Sequence, residues 1–328
     1  MPYSEDIIAA ARATARVVSI PMRTKFRGVS VREALLFEGT EGWAEWSPFL
    51  EYEDGEAAVW LRAALEFANQ PLPPMIRSRV GINATLPAVT PDAVAAALAP
   101  FGEFRTVKIK VAEPGQKMAD DLARIRKVRE LFPDSKIRLD ANGGYSVAGA
   151  MQLAYRLAHD GITLDYFEQP VAALSDLAEL RAKVAAKGVK VAADELVRKA
   201  EDPLAVAKAG AADILVIKAA PLGGVQAALN IVIQAGLPAV VSSALETSVG
   251  ISMGLALAAS ITELEYDCGL GTVALLTDDV TDSPLVPVCG WLEPGRVAVS
   301  AAKLDALAAS PERTEWWLQR LERCLRLI

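Results

Sequence analysis

Five short apolar segments each end in an ionisable side chain. Lys110 closes Thr106-Val107-Lys108-Ile109, Asp140 closes Lys136-Ile137-Arg138-Leu139, Glu168 closes Asp165-Tyr166-Phe167, Asp194 closes Val191-Ala192-Ala193, and Lys218 closes Ile214-Leu215-Val216-Ile217. The intervals between them are 30, 28, 26 and 24 residues. Each interval is about one strand–helix repeat, so each residue falls at the carboxyl end of its own strand, where barrel active sites lie. Three carboxylates gathered there repel one another unless a cation neutralises them. Asp140, Glu168 and Asp194 are therefore the expected metal ligands, and an all-oxygen set selects Mg²⁺, with Mn²⁺ as a substitute. Lys108 and Lys110 are two apart on one strand and share a face. Their mutual repulsion is expected to lower the pKa of each, and a lysine so tuned serves as a general base near neutrality.

Singly, these residues carry little. An Asp after an apolar strand is commonly a helix cap, and a Lys-x-Lys pair is frequent by chance. Their common register on successive strands is what points to chemistry. The single histidine, His159, falls at a helix end in Tyr155-Arg156-Leu157-Ala158-His159-Asp160-Gly161. It leaves no Ser-His-Asp triad and no histidine-rich metal site.

The elements around these residues read as three units. Residues 1–78 form an α+β unit, with strands at Arg16–Ile20, Val29–Phe37 and from Gly42, a helix over Glu56–Phe67, and a breaking run at Gln70-Pro71-Leu72-Pro73-Pro74. Residues 79–283 alternate short apolar strands with amphipathic helices. Strands begin near Val80, Thr106, Ile137, Leu164, Val189, Ile214, Ala239 and Glu265, which predicts a (β/α)7β TIM-type barrel with the first unit as an α+β capping domain. An open doubly wound sheet would carry a glycine-rich nucleotide turn after its first strand, and none is present. Residues 284–328, with a strand at Arg296–Ser300 and a Leu/Arg-rich helix, return to the cap.

Composition narrows the function. The 328 residues are 52% hydrophobic with a formal net charge of −7, which argues against nucleic-acid binding. Three scattered cysteines, Cys268, Cys289 and Cys324, offer neither a disulfide framework nor a zinc spacing, and fit a reducing cytoplasm. The longest apolar stretch, near Val249–Ile261, is too short to span a bilayer, so membrane insertion is not expected. Nothing sets an oligomeric state.

The segments Val107-Lys108-Ile109-Lys110, Asp140-Ala141-Asn142-Gly143, Phe167-Glu168-Gln169-Pro170, Ala193-Asp194-Glu195 and Lys218-Ala219-Ala220-Pro221-Leu222-Gly223-Gly224 together resemble the enolase superfamily, muconate-lactonizing subgroup. A second set points to a dehydrating branch: Phe26-Arg27-Gly28, Trp46-Ser47-Pro48-Phe49, Glu51-Tyr52, Gly81-Ile82-Asn83-Ala84-Thr85, Ser242-Ser243-Ala244-Leu245-Glu246 and Cys268-Gly269-Leu270-Gly271. This branch belongs to menaquinone biosynthesis and removes water from a cyclohexadiene carboxylate, a small-molecule substrate. The resemblance implies that Lys110 takes the α-proton and later assists hydroxide departure. It implies that Lys218 stabilises the enediolate from across the ring, and that Lys108 keeps positive charge near the carboxylate. It places Arg27, Ser47, Phe49, Asn83, Ser242, Ser243, Leu270 and Gly271 around the substrate. Racemisation or epimerisation of N-acylated amino acids or dipeptides is the alternative on the same scaffold. A non-catalytic barrel is disfavoured by the intact set of lysines and carboxylates.

Overall fold

The computed structural model describes residues 3–198 and 202–328. Its elements run α1 (Glu5–Thr14), β1 (Arg16–Phe26), β2 (Val29–Gly39), β3 (Gly42–Trp46), α2 (Asp54–Asn69), β4 (Val80–Gly81), β5 (Ala84–Leu86), α3 (Val94–Leu98), β6 (Thr106–Lys110), α4 (Met118–Leu131), β7 (Lys136–Asp140) and α5 (Val147–His159). They continue with β8 (Leu164–Glu168), α6 (Leu174–Val184), β9 (Val191–Ala193), α7 (Glu195–Arg198), α8 (Ala205–Lys208), β10 (Ile214–Ile217), α9 (Val225–Ala235), β11 (Ala239–Val241), α10 (Ser248–Ser260), β12 (Trp291–Leu292), α11 (Ala301–Ala306) and α12 (Pro311–Leu325).

Strands β5 to β11 form a parallel sheet in chain order, the product of repeated strand–helix units. Outward residues such as Val107, Ile109, Ile137 and Leu139 are fully buried against the helices. Inward residues form a separate small apolar cluster, among them Tyr166, Ile214, Val216 and Val240. Its floor holds a buried cation. Arg138 stacks on Tyr166 (4.6 Å) and bonds Asp165 (2.7 Å) and Asn83 (3.2 Å).

The expected eighth strand from Glu265 shrinks to two residues. Cys268 N–H donates to the Gly81 carbonyl (2.6 Å), and the Cys268 carbonyl accepts from Asn83 N–H (3.0 Å). On the other edge Gly269 N–H donates to Val241 (2.8 Å), and Ser243 N–H to Gly269 (3.0 Å). These bonds close the barrel between β5 and β11. A Cβ on Gly269 would stand 2.6 Å from Ser242 Oγ, so a larger residue there would require that hydroxyl to move.

The cap is the antiparallel sheet β1–β2–β3 covered by α2, with α12 packed on α2. Trp317 of α12 meets Trp46 edge-on at 5.4 Å and donates its indole N–H to Glu33 (2.8 Å). The strand expected at Arg296–Ser300 does not form. Arg296 instead donates to the carbonyls of Phe67 (2.7 Å) and Gln70 (3.2 Å), so a side chain anchors that segment and its backbone joins no ladder. The pairing strand is β12, antiparallel to β4. Every residue of α10 is buried, which explains its apolar sequence. Among the described residues no helix is long and apolar enough to cross a membrane.

Candidate active site

The parallel register sets Lys110 beside Asp140 and Asp140 beside Glu168, with Asp194 and Lys218 one residue past the ends of β9 and β10. Counting the closing pair Cys268–Gly269 as the eighth position, β6 and β10 are four positions apart. Lys110 and Lys218 thus project from opposite walls. Both line one cleft.

All three carboxylates are buried and each is met by cations. Glu168 accepts from Lys108 at 3.1 and 3.2 Å, and Lys108 stands 3.9 Å from Asp140. Lys110 lies 3.5 Å from Asp140. Asp194 divides its oxygens, Oδ1 accepting from Arg198 Nε (3.0 Å) and Oδ2 from Lys218 (2.6 Å). Burial alone would raise the Asp194 pKa, but Lys218 and Arg198 hold it well below the usual carboxylate range. Burial also opposes ionisation of Asp140, yet Lys110 and Lys108 bring it down. Glu168, wholly inside the barrel, is pushed up to about 7 by burial despite Lys108.

The expected depression of Lys108 is not what the structure gives. Burial does push its ammonium down, but Glu168 and Asp140 outweigh burial and raise it above the ordinary lysine value. Lys108 is a fixed positive charge under the cleft, because its nearest charged partners are carboxylates and not Lys110.

Of the other sequence candidates, Arg27, Phe49, Ser242 and Ser243 line the cleft. Ser47, Asn83, Leu270 and Gly271 do not. Ser47 is buried with its hydroxyl donated to Glu45 (2.6 Å). Asn83 points into the barrel floor toward Arg138. Leu270 packs against Gly254, and Gly271 faces Ile82 and Asn83. Their neighbours Thr85, Gly269 and Thr272 take the lining positions. In each case the segment reaches the site, but the residue facing the cleft is one or two positions away.

Sequence reasoning passed over several residues that hold the site together. Gln169, fully buried at φ +36°, accepts from the backbone N–H of Asp194 (3.0 Å) and Leu196 (3.3 Å) and donates to the Val171 carbonyl (2.8 Å). It locks the turn that carries Asp194. Arg198 sits four residues after Asp194 on one helical face, and that spacing was the available signal. A buried pair joins cap to barrel. Arg32 donates to the carbonyls of Leu245 (3.1 Å), Ala244 (3.3 Å) and Ser47. Glu45 accepts from Thr247 N–H (2.9 Å) and Oγ (2.6 Å) and from Gly250 N–H (3.2 Å).

Comparison with known proteins agrees with this architecture. Residues 17–68 match the family described as Enolase N-terminal domain-like, and residues 92–297 match Enolase C-terminal domain-like. The o-succinylbenzoate synthase of Mycobacterium ulcerans (strain Agy99) is 51% identical over 313 residues, covering 95% of this chain and 94% of that protein. This chain belongs to the o-succinylbenzoate synthase family of the enolase superfamily. o-Succinylbenzoate synthases are enzymes, hydro-lyases that break a carbon–oxygen bond, and so is this chain. At the level of fold it also matches 2-chloromuconate cycloisomerase from Rhodococcus opacus 1CP, with TM-score 0.75 and 22% identity over 90% of this chain and 98% of that one. The dipeptide epimerase from Enterococcus faecalis V583, in a complex with Mg and L-Leu-L-Tyr, gives TM-score 0.73 at 22% identity, covering 87% and 97%.

Members of the superfamily depend on a divalent metal. Three buried carboxylates at the ends of adjacent strands fit a hard cation in donor type and placement. Their oxygens are turned onto ammonium and guanidinium groups, and among the described residues no three acidic, His or Cys side chains converge on one point.

Proposed function

We propose that this o-succinylbenzoate synthase family chain dehydrates 2-succinyl-6-hydroxy-2,4-cyclohexadiene-1-carboxylate to o-succinylbenzoate, with Lys110 as the acid–base group. The observation that carries this is the pair of lysines facing one cleft from opposite walls, with the acidic triad between them.

Lys110, as the free amine, takes the proton from the ring carbon that bears the carboxylate. The electron pair left behind moves toward the carboxylate oxygens. Lys110, now an ammonium, gives its proton to the hydroxyl on the neighbouring carbon as that C–O bond breaks. Water leaves, the third ring double bond forms, and Lys110 returns to the amine. Lys218 stays an ammonium throughout and places its charge against the opposite ring face, where the anionic intermediate needs it. Lys108 and Arg198 move no proton, and their positive charge favours an anionic substrate inside a chain of net negative charge. Asp140, Glu168 and Asp194 would hold a divalent cation, Mg²⁺ with Mn²⁺ as a substitute, which would supply Lewis-acid stabilisation of the developing carboxylate charge.

The test is turnover by the purified chain. Substrate is consumed with stoichiometric o-succinylbenzoate, EDTA stops the reaction, and Mg²⁺ or Mn²⁺ restores it. Full activity after EDTA would remove the metal from the mechanism. Racemisation of N-succinyl amino acids without any dehydration would reassign the chain to the other reaction the lysine pair admits.

A further inference from the structure

A line of polar contacts runs from the tip of the cap to the acidic triad. Arg27 stands at the β1–β2 turn at φ +51°, its guanidinium stacked 4.1 Å over Phe49. It donates Nη2–H to the Tyr52 phenol oxygen at 3.1 Å. The same oxygen accepts from Arg198 Nη1 at 3.0 Å. Arg198 then bonds Asp194 through Nε (3.0 Å) and Glu195 through Nη2 (2.7 Å). Asp194 in turn accepts from Lys218 at 2.6 Å.

The chemistry of this line is specific. All three guanidinium nitrogens of Arg198 are engaged, one with the cap and two with the barrel. The phenol oxygen accepts from two cations that would otherwise repel at close range, which is the full acceptor capacity of its lone pairs. Tyr52 is itself fixed, its ring edge-on to Phe49 (5.5 Å) and Trp60 (6.0 Å). Asp194 Oδ1 is held by Arg198, and Arg198 is held in turn by Tyr52 of the cap.

We propose that Tyr52 and Arg198 are positioning residues that couple docking of the cap turn at Arg27 to the orientation of Asp194. The inference rests on the functional reading insofar as Asp194 serves a metal. Cap docking and metal binding then stabilise the same arrangement, so each strengthens the other. Neither residue touches the reacting atoms. A lysine at 198 keeps the charge but lacks the planar fork that spans Asp194, Glu195 and Tyr52. A phenylalanine at 52 keeps the ring packing and removes the shared oxygen.

Amide hydrogen exchange on the full chain, with and without saturating Mg²⁺, tests this. Calorimetry of Mg²⁺ binding is run on the same samples, and α4 serves as an internal control for folding. In the unaltered chain, Mg²⁺ should slow exchange severalfold across residues 23–28. In Tyr52→Phe and in Arg198→Lys that slowing should vanish while α4 stays protected, and Mg²⁺ affinity should drop roughly tenfold, the lower end for outer partners of metal ligands. Arg198→Lys leaves the cap aromatic cluster intact and answers the question if Tyr52→Phe disturbs it. Undiminished Mg²⁺-dependent slowing in Arg198→Lys overturns the coupling, as does its absence from an unaltered chain that binds Mg²⁺. An unaltered chain that binds no Mg²⁺ at all defeats the functional reading first and this inference with it.

Discussion

Glu45 offers a quantitative test of how the cap is held on the barrel. Its Oε1 accepts from Ser47 Oγ, and its Oε2 accepts from Thr247 N–H and Oγ and from Gly250 N–H. Burial pushes its pKa up, Glu246 adds to the rise, and the Ser47 and Thr247 bonds and Arg32 offset only part of it, leaving it at about 7 from an ordinary 4.5. An acid whose folded pKa is raised binds its proton more tightly in the folded state. Below pH 4.5 both states carry the proton. Between 4.5 and 7 only the folded state does, so stability falls as pH rises through that window, and above it the full penalty persists. At about 1.36 kcal/mol per pH unit the gap amounts to about 3 kcal/mol. Glu45→Gln removes the titration yet preserves the contacts. The amide oxygen accepts from Thr247 and Gly250, and the amide nitrogen donates to Ser47 Oγ, whose hydroxyl can turn to accept. Urea unfolding at pH 5 and pH 8 should show Glu45→Gln more stable by about 3 kcal/mol at pH 8, with most of that difference gone at pH 5. Glu168 also titrates near 7, but it is common to both proteins and cancels in the comparison. Parallel stability curves for the two proteins would refute the reasoning, since Glu45 would then be ionised at no cost.

Further outcomes follow from the lysines. Lys110→Ala should lower dehydration by about 10⁴ or more with the circular dichroism spectrum unchanged, the upper end for loss of a general base because this group acts twice. Lys110→Arg should be equally inactive, since arginine stays protonated, and measurable turnover in that variant would point to another base. Lys218→Arg keeps a cation at the far wall and should retain a trace of dehydration. The same variant should exchange in D₂O the α-hydrogen of only one enantiomer of an N-succinyl amino acid, read by NMR, while any racemisation is lost. Exchange of both enantiomers would reveal a second group acting from the Lys218 side.

Much of this molecule is written locally. The alternation of short apolar strands and amphipathic helices is a property of neighbouring residues, and it predicts the parallel sheet β5 to β11. Alternation along a strand also places Lys108 with Lys110 on one face, and the near-constant interval places Asp140, Glu168, Asp194 and Lys218 at strand ends. What stands opposite a side chain is not local. Sequence alone sets Lys108 against its neighbour Lys110, but the fold sets it on Glu168 from two strands away and raises its pKa where the lysine pair predicts a fall. Glu45 meets Thr247, Tyr52 meets Arg198, and Arg32 meets Leu245 across the cap–barrel boundary. The eighth strand shortened to Cys268 and Gly269 because closure needs only the backbone bonds that the two sheet edges leave unmade. Ser47 and Asn83 turned from the cleft because Glu45 and Arg138 are buried polar groups that must be bonded, and these side chains were within reach. Periodicity decides which face a residue takes. Only the folded chain decides which charge or donor meets it there, because those partners are brought together by packing of segments far apart in sequence.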